Sequence, residues 1–359
     1  MKRIVFVVTV AIMLALFAIG RQPSHAQAPA LVKASPVKPP QVKTMVEKSV
    51  ALLQTLGSSF IEQTGCVSCH NNSLPAVAVA VARAHGIKVN EQAIATENRQ
   101  VLAVWEARRD QVLQGDSFPG ANDTASYILL GLAAGRQTPT PTTDAIVNYL
   151  MGLQDSSGKW TIGIKSRPPL ESSDFNATAL SMRAIQLYAP SGRREEVNQR
   201  VAEARQWLLN NAARTNEDRV FQLLGLHWSG APAAPMRKLA EQLRATQHTD
   251  GGWSQLPGMA SDAFATGQAL VALHRAGGLP VSDAVYQRGV EYLRQTWQPD
   301  GSWHVPSRSF PFQKQFPSGF PYERDQWISA AGTSWAVMAL SLALDAPAPA
   351  FASLGRPLL

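Results

Sequence analysis

Two kinds of apolar segment alternate along residues 43–345. One kind is apolar on nearly every face and rich in Ala, Gly and Ser. It occurs six times: LPAVAVAVARA from Leu74, TASYILLGLAA from Thr124, FNATALSMRAIQLY from Phe175, RVFQLLGLHW from Arg219, AFATGQALVALHRA from Ala263 and ISAAGTSWAVMALSLAL from Ile328. A helix apolar all round is a buried helix. The other kind covers roughly 43–62, 89–114, 140–153, 193–211, 234–246 and 282–297. There the apolar positions recur at helical spacing, as in Ile94, Val101, Val104, Trp105 and Val112, with charges between them. No stretch of any length alternates as a strand would. Six buried helices alternating with six amphipathic ones predict an all-α single domain, an (α/α)6 toroid with the buried set as its inner ring.

A short motif punctuates the alternation. L-x3-Q-x3-G-x-W appears at Leu150, Gln154, Gly158 and Trp160, and again at Leu243, Gln247, Gly251 and Trp253. A third copy has Leu293, Gly301 and Trp303, with Trp297 in the Gln position. The Leu falls on the last turns of an amphipathic helix. Gln is expected to bond the carbonyls that a helix C-terminus leaves open. Gly supplies a turn with positive φ, and Trp folds back as an apolar plug with one N–H to place. On these residues alone the three Trp are structural staples.

The repeats resemble those of the terpenoid cyclase and protein prenyltransferase superfamily, of the squalene-hopene cyclase type. The likeness covers about 43–345 and speaks for the fold more than for a reaction. It implies an apolar cavity inside the ring and a polyprenyl substrate. Cyclases of this type carry their acid in a D-x-D-D-T-A motif, and the nearest stretch here is DFNATA at 174–179. Asp174 matches the first Asp, but Asn176 stands where the acid belongs and Ala177 replaces the last Asp. An amide cannot donate such a proton. GANDTA (120–125) and DAFATG (262–267) do not restore it, so a protonation-driven cyclase is not expected. The prenyltransferase zinc set of Asp, Cys and His is not matched either, and Cys66, Cys69 and His70 are three cramped ligands where zinc wants four.

The ends read differently. Residues 1–26 have a basic start (Lys2, Arg3), an apolar run from Ile4 to Ile19 and a small-residue cut site after Ala26. They read as a secretory signal peptide, with an uncleaved anchor as the alternative. Export to the periplasm or another extracytoplasmic space follows. Residues 27–42 are a Pro/Ala/Lys-rich tether, and 346–359 form a tail. No later run of 18 apolar residues occurs. The formal charge of +7 arises from 33 basic and 26 acidic residues. Losing Lys2, Arg3 and Arg21 leaves 30 against 26, or +4. That mild balance, with no basic run, excludes nucleic acid as a partner and leaves a weak attraction to anionic membrane surfaces.

Both cysteines of the chain lie in TGCVSCHNNS, residues 64–73. C-x-x-C-H in an exported chain reads as attachment of one covalent c-type haem. Cys66 and Cys69 would form the thioethers and His70 would be the iron ligand. A structural dithiol, a disulfide or a zinc clip are the alternatives. His85, His227, His248, His304 and Met259 are candidates for a sixth ligand, and a five-coordinate iron fits equally. The motif fills the first outer-to-inner turn, the slot that Q-x3-G-x-W fills in other repeats. It should therefore share a rim with Asp123, Asp174, Asp262 and Asp325, the candidate catalytic acids, and with Glu217 and Asp218. The bland role of all six is helix capping. The aromatic insertion 304–327, with Phe310, Phe312, Phe316, Phe320 and Tyr322, is expected to cover that rim as a loop. The expectation is a haem protein that transfers electrons or oxidises an apolar ligand, its partners being a redox protein or an apolar small molecule. A non-redox enzyme on a polyprenyl substrate, or a scaffold with structural haem, are the alternatives. Nothing in the sequence speaks to oligomeric state.

Overall fold

The computed structural model describes residues 39–163, 167–311 and 316–344, and the backbone of 352–353 and 356–357. The signal segment 1–26 and most of the 27–42 tether lie outside the described residues. The described part is helical and forms one compact unit. Six helices make the inner ring: α2 (Leu74–Ala84), α5 (Ala121–Ala134), α7 (Asp174–Tyr188), α9 (Asn216–Trp228), α11 (Ala263–Arg275) and α13 (Gln326–Leu342). Each packs on the next, and α13 packs back on α2, so the ring closes. The outer layer is α1 (Pro39–Thr64), α3 (Glu91–Glu106) with the short α4 (Arg109–Leu113), α6 (Pro141–Gly152), α8 (Arg194–Asn210), α10 (Ala233–Arg244) and α12 (Ala284–Thr296). The all-α toroid expected from the alternation is the fold observed. Helix α1 begins at Pro39, four residues inside the stretch read as tether. Among the described residues of the tail, Ala352–Ser353 pairs antiparallel with Arg356–Pro357. No helix of the described residues is long and apolar enough to cross a membrane.

Small side chains explain the close inner packing. A Cβ on Gly267 of α11 would come within 2.5 Å of the α13 backbone at Trp335. The outer helices supply the larger apolar groups, such as Val46, Leu53, Leu208, Leu243 and Leu293, all buried.

The three Trp turns share one hydrogen-bond scheme. The indole Nε1–H of Trp160 donates to the Leu150 carbonyl at 2.6 Å, Trp253 to Leu243 at 3.0 Å and Trp303 to Leu293 at 2.7 Å. The Trp main-chain N–H donates to a Thr hydroxyl of the following inner helix: Thr178, Thr266 and Thr333 in turn. The open carbonyl at the end of each outer helix is thus taken by Trp, not by Gln as expected. Gln has a different task. Gln154 Nε2 donates to Gly158 O at 2.9 Å and to Arg200 O on α8 at 3.0 Å; Gln247 does the same to Gly251 O and to Val285 O on α12, each at 2.8 Å. Each turn therefore ties its own outer helix to the next one. Gly158 and Gly251 sit at φ +90° and +89°, and a Cβ there would strike the backbone of Glu203 and Arg288 at about 2.5–2.6 Å.

The third turn closes the ring. Its neighbour is α1, the first helix. Lys48 donates to the Pro299 carbonyl and Ser49 to the Gly301 carbonyl. Trp297, in the Gln position, donates from Nε1 to Ser49 Oγ at 3.3 Å and lies under the Lys48 ammonium. The exception to the motif falls where the chain's two ends must meet.

Trp253 is fully buried, so Trp253→Ala should cost about 3–5 kcal/mol in urea unfolding. Trp253→Phe keeps most of the ring, losing one hydrogen bond and a little volume, and should cost about 1–2 kcal/mol. A Trp253→Phe variant as stable as the wild-type chain would show that the N–H bond adds nothing to the plug.

Candidate functional site

The N-terminal ends of the inner helices gather on one rim, reached from the outer-to-inner turns. The C-x-x-C-H segment enters it first. Gly65 turns the chain at φ +63° after α1. A single wide helical turn, Cys69–Ser73, then leads into α2, a geometry that often marks functional positions. Asn72 braces it from within. Its Oδ1 accepts the Ser68 N–H at 3.1 Å, and its Nδ2 donates to Gly57 O at 2.8 Å and to Glu97 Oε1 at 3.1 Å. The Glu97 carboxyl is enclosed against Gly57, and burial pushes it up to about 7.

The two cysteines face different surroundings. Cys66 is exposed and Cys69 is buried. Cys69 Sγ lies 3.3 Å from His70 Nδ1. Burial first, then the charges of Glu171 and Asp123, push the Cys69 thiol up. Burial, then Arg167, drives His70 down to about 3. The pair is a thiol beside a neutral imidazole, not a thiolate–imidazolium pair. The His70 ring meets Trp327 edge-on at 5.6 Å.

Carboxylates converge on the same rim from α5 and α9. Asp123 is fully buried. Its Oδ2 accepts the Glu171 N–H at 3.2 Å, while Oδ1 is buried with no hydrogen-bond partner. Burial, reinforced by Glu171, pushes Asp123 up to about 8. Glu217 is buried as well. Its Oε1 accepts from Asn176 Nδ2 at 2.6 Å, and burial outweighs the help of Gln268 and Asn176 to push it up to about 8. Tyr127, on α5, is buried between them. Asn176 favours its ionisation, but burial, Asp123 and Glu217 together push its hydroxyl well up. Asn176, the residue that stands where the cyclase acid belongs, is therefore joined to a carboxyl from the neighbouring helix. Asp262 caps α11 at Ala265 N, 2.9 Å, and takes Gln255 Nε2 at 3.1 Å; burial raises it to about 6. The rim loop contributes Arg308, which donates to Gln255 Oε1 at 2.8 Å and whose charge reaches Glu217 and Asp262.

The remaining candidates stand elsewhere. Asp174 is paired with Lys159 at 3.1 Å and accepts the Ile162 N–H. Asp325 holds His304 at 2.8 Å and the Ser307 N–H, which pins the 304–327 loop. Asp218 caps α9 in a reciprocal box with Thr215. Of the loop aromatics, Phe320 is buried, Tyr322 stacks on His304 at 4.6 Å, and Phe310 and Phe316 point to solvent; Phe312 lies outside the described residues. Among the proposed sixth ligands, His85 ends α2 and His227 ends α9, at the opposite ends of those helices from the rim. His248 bonds Ser261 Oγ at 3.0 Å within its own turn. Among the described residues no three His, Cys, Asp or Glu gather as a metal site needs.

Sequence reading missed Glu171, Tyr127, Arg167 and Arg308 as rim residues. The first and third lie in the irregular connection before α7, where no periodicity marks which side chain turns inward.

Raised carboxyl values carry a stability consequence. From about pH 4 upward the unfolded chain loses protons that the folded chain keeps on Asp123 and Glu217. Their contribution is greatest below pH 4 and declines as pH rises to about 8. Asp123→Asn, neutral throughout, should flatten the fall of urea-unfolding stability between pH 4 and 8. A variant with the wild-type slope would show that Asp123 is ionised in the folded protein.

The chain can now be set beside known proteins. The family profile of the squalene-hopene cyclase C-terminal domain matches residues 194–353. Drimenyl diphosphate synthase from Streptantibioticus cattleyicolor is 37% identical over 75 residues, which is 21% of this chain and only 14% of that protein. Among solved structures, a type II terpene cyclase, MstE from Scytonema, in complex with geranylgeranyl dihydroxybenzoate superposes with a TM-score of 0.51 at 15% identity. The match covers 85% of this chain and 98% of that one. A possible member of the GH105 family from Klebsiella pneumoniae gives 0.53 at 15% identity, over 91% and 99%. These likenesses place the chain among terpene-cyclase-like toroids by fold.

Proposed function

We propose that this chain is a non-redox enzyme performing general acid–base chemistry on an apolar, polyprenyl-class molecule, with Asp123 as its proton carrier. One observation carries the reading. Asp123 is a fully buried carboxyl, raised to about 8, whose Oδ1 has no hydrogen-bond partner while Oδ2 is held by the Glu171 N–H. We place the proton on Oδ1, the oxygen that no protein hydrogen bond occupies. A group with its pKa near the working pH is the one suited to acid–base exchange. Such a carboxyl is also a weaker acid than an ordinary Asp. It suits proton transfer at an oxygen or an activated carbon better than attack on an unactivated alkene, in keeping with the missing D-x-D-D motif. Glu217, bonded to Asn176 and facing Gln268, is the second exchangeable carboxyl. The match to the cyclase domain profile and the likeness to a terpene cyclase bound to a geranylgeranyl compound support an isoprenoid as the substrate class.

Products formed from polyprenyl alcohols and diphosphates, followed by mass spectrometry, test this. Asp123→Asn should lower turnover by about a hundredfold or more, and the wild-type rate should fall as pH rises through about 8, where the neutral acid is lost. Full activity in Asp123→Asn would sink the assignment.

A second reading rests on the C-x-x-C-H turn beside Asp123. The donor chemistry fits a c-type haem: Cys66 is open to solvent, and His70 is held as the neutral imidazole that ligates metals. Cys66 and Cys69 would hold the group and His70 would face its iron, and when bound it would supply one-electron redox chemistry. Expression with the native leader and a haem-maturation system should give a covalent haem band after denaturation and a pyridine haemochrome spectrum, both lost in the double variant Cys66→Ala/Cys69→Ala. Their absence from the wild-type chain would end this reading. Export through residues 1–26 belongs to both readings.

A further inference from the structure

We propose that the inside of the ring reads a neutral oxygen, hydroxyl or carbonyl, on the prenyl compound it binds, and that Gln268 and Trp335 are the residues that read it. The proposal rests on the prenyl class argued above and adds a requirement that a hydrocarbon cannot meet. Both side chains are placed by the Trp turns. Thr266 of α11 and Thr333 of α13 receive the main-chain N–H of Trp253 and Trp303, so each Thr marks the face of its helix turned to the outer layer. Gln268 and Trp335 each stand two residues further on, about 200° around the helix, and so face the axis of the ring at one level. A ring contact agrees with this placement. Trp335 meets Phe221 of α9 edge-on at 6.1 Å. Helix α11 stands between α9 and α13, so the contact crosses the inner face of α11, where Gln268 lies. Gly267, beside Gln268, has no room for a Cβ because the Trp335 backbone is 2.5 Å from that point.

The polar atoms of both side chains lack a partner in the protein. Gln268 is fully buried and neither of its amide atoms makes a hydrogen bond; among the buried amides of the described residues it alone has both unpaired. It stands beside the Glu217 carboxyl and acts on it, but outside hydrogen-bond geometry. Trp335 is buried as well and its Nε1–H is unpaired, whereas the three turn tryptophans each place theirs on a Leu carbonyl. Packing gives no reason for such groups, because Leu and Phe would fill the same space without the cost of an unpaired buried donor or acceptor. An indole N–H beside a carboxamide offers two donors and one acceptor, all neutral. A hydroxyl uses both kinds and a carbonyl accepts from the donors; a hydrocarbon uses none. The acids belong to a second level. Asn176 stands two residues before Thr178, which marks the outer face of α7, and donates to Glu217 Oε1 at 2.6 Å. That level is four residues, or about 6 Å, nearer the rim. A prenyl chain is long enough to span both levels at once.

Equilibrium dialysis of the folded chain against farnesol, and against farnesene as the hydrocarbon of the same carbon count, tests the proposal. Both probes are used in one detergent, each corrected for its own partition into micelles. Farnesol is expected to bind at least about tenfold more tightly than farnesene. Gln268→Leu should cut that preference at least about threefold while farnesene binds no less tightly. This variant removes two unpaired polar atoms and keeps a side chain of similar size, so it is expected to fold. Trp335→Phe should also cut the preference, and decides the matter if Gln268→Leu does not fold. Equal binding of the two probes by the wild-type chain, or a preference left intact in the folded variants, would overturn the proposal and leave the prenyl class and the role of Asp123 standing. Binding of neither probe would overturn it together with the prenyl class on which it rests.

Discussion

The inner helices have no face to give to water, and the rest of the molecule follows from that. A helix such as Ala263–Arg275, buried nearly all round, must be covered on every side. Neighbours within the ring cover two flanks, and the outer layer covers the back. An open row of six such helices would leave two apolar edges bare, so the row closes, α13 against α2. Closure sets a demand on the turns, because each must fix an outer helix, the inner helix it feeds and the next outer helix at once. The Trp turn meets all three: indole N–H to Leu carbonyl behind, main-chain N–H to Thr ahead, and Gln to the neighbouring outer helix beside it. Each bond is worth about 1 kcal/mol. Their value lies in fixing the angle between repeats, since a small error per repeat would leave the ring unclosed.

The rim chemistry is a consequence of the same burial. A carboxylate in the first turn of a helix is stabilised by the dipole, by up to about 2 kcal/mol in a partly buried setting, which would lower its pKa by somewhat more than one unit. Asp123 instead moves from 3.8 to about 8. Desolvation inside the closed ring therefore wins over the dipole by a wide margin. Asp174, the first residue of α7, keeps a partly exposed flank and pairs with Lys159, while Ser173 caps the helix. Two aspartates in the first turns of two inner helices thus differ in surroundings: one is fully enclosed, the other partly exposed beside a lysine.

That contrast marks how far the sequence could be read. The alternation of apolar and amphipathic segments specified the ring and its order, because periodicity reports which faces are buried. The Leu, Gly and Trp positions were legible as a turn for the same reason. The role of Gln was not, since its second partner, Arg200 or Val285, is on a helix about forty residues further along. The rim was legible as a place but not as a site. Asp123, Asp174, Asp262 and Asp325 look alike in sequence, and only their enclosure separates them. Asn176 read as the loss of an acid. The fold shows it bonded to Glu217, 41 residues away on the next inner helix, a relation that no local pattern encodes.

Opposite ends of the ring carry different unsatisfied groups: carboxyl oxygens of Asp123 and Glu217 at one, the Arg275 Nε at the other. At the N-terminal rim the dipoles favour negative charge, yet the buried carboxyls are held neutral. At the C-terminal end the dipoles favour positive charge, and basic residues such as His274 and Arg275 stand in the last turn of α11. Inner helices of 11 to 17 residues separate the two ends by about 16–25 Å.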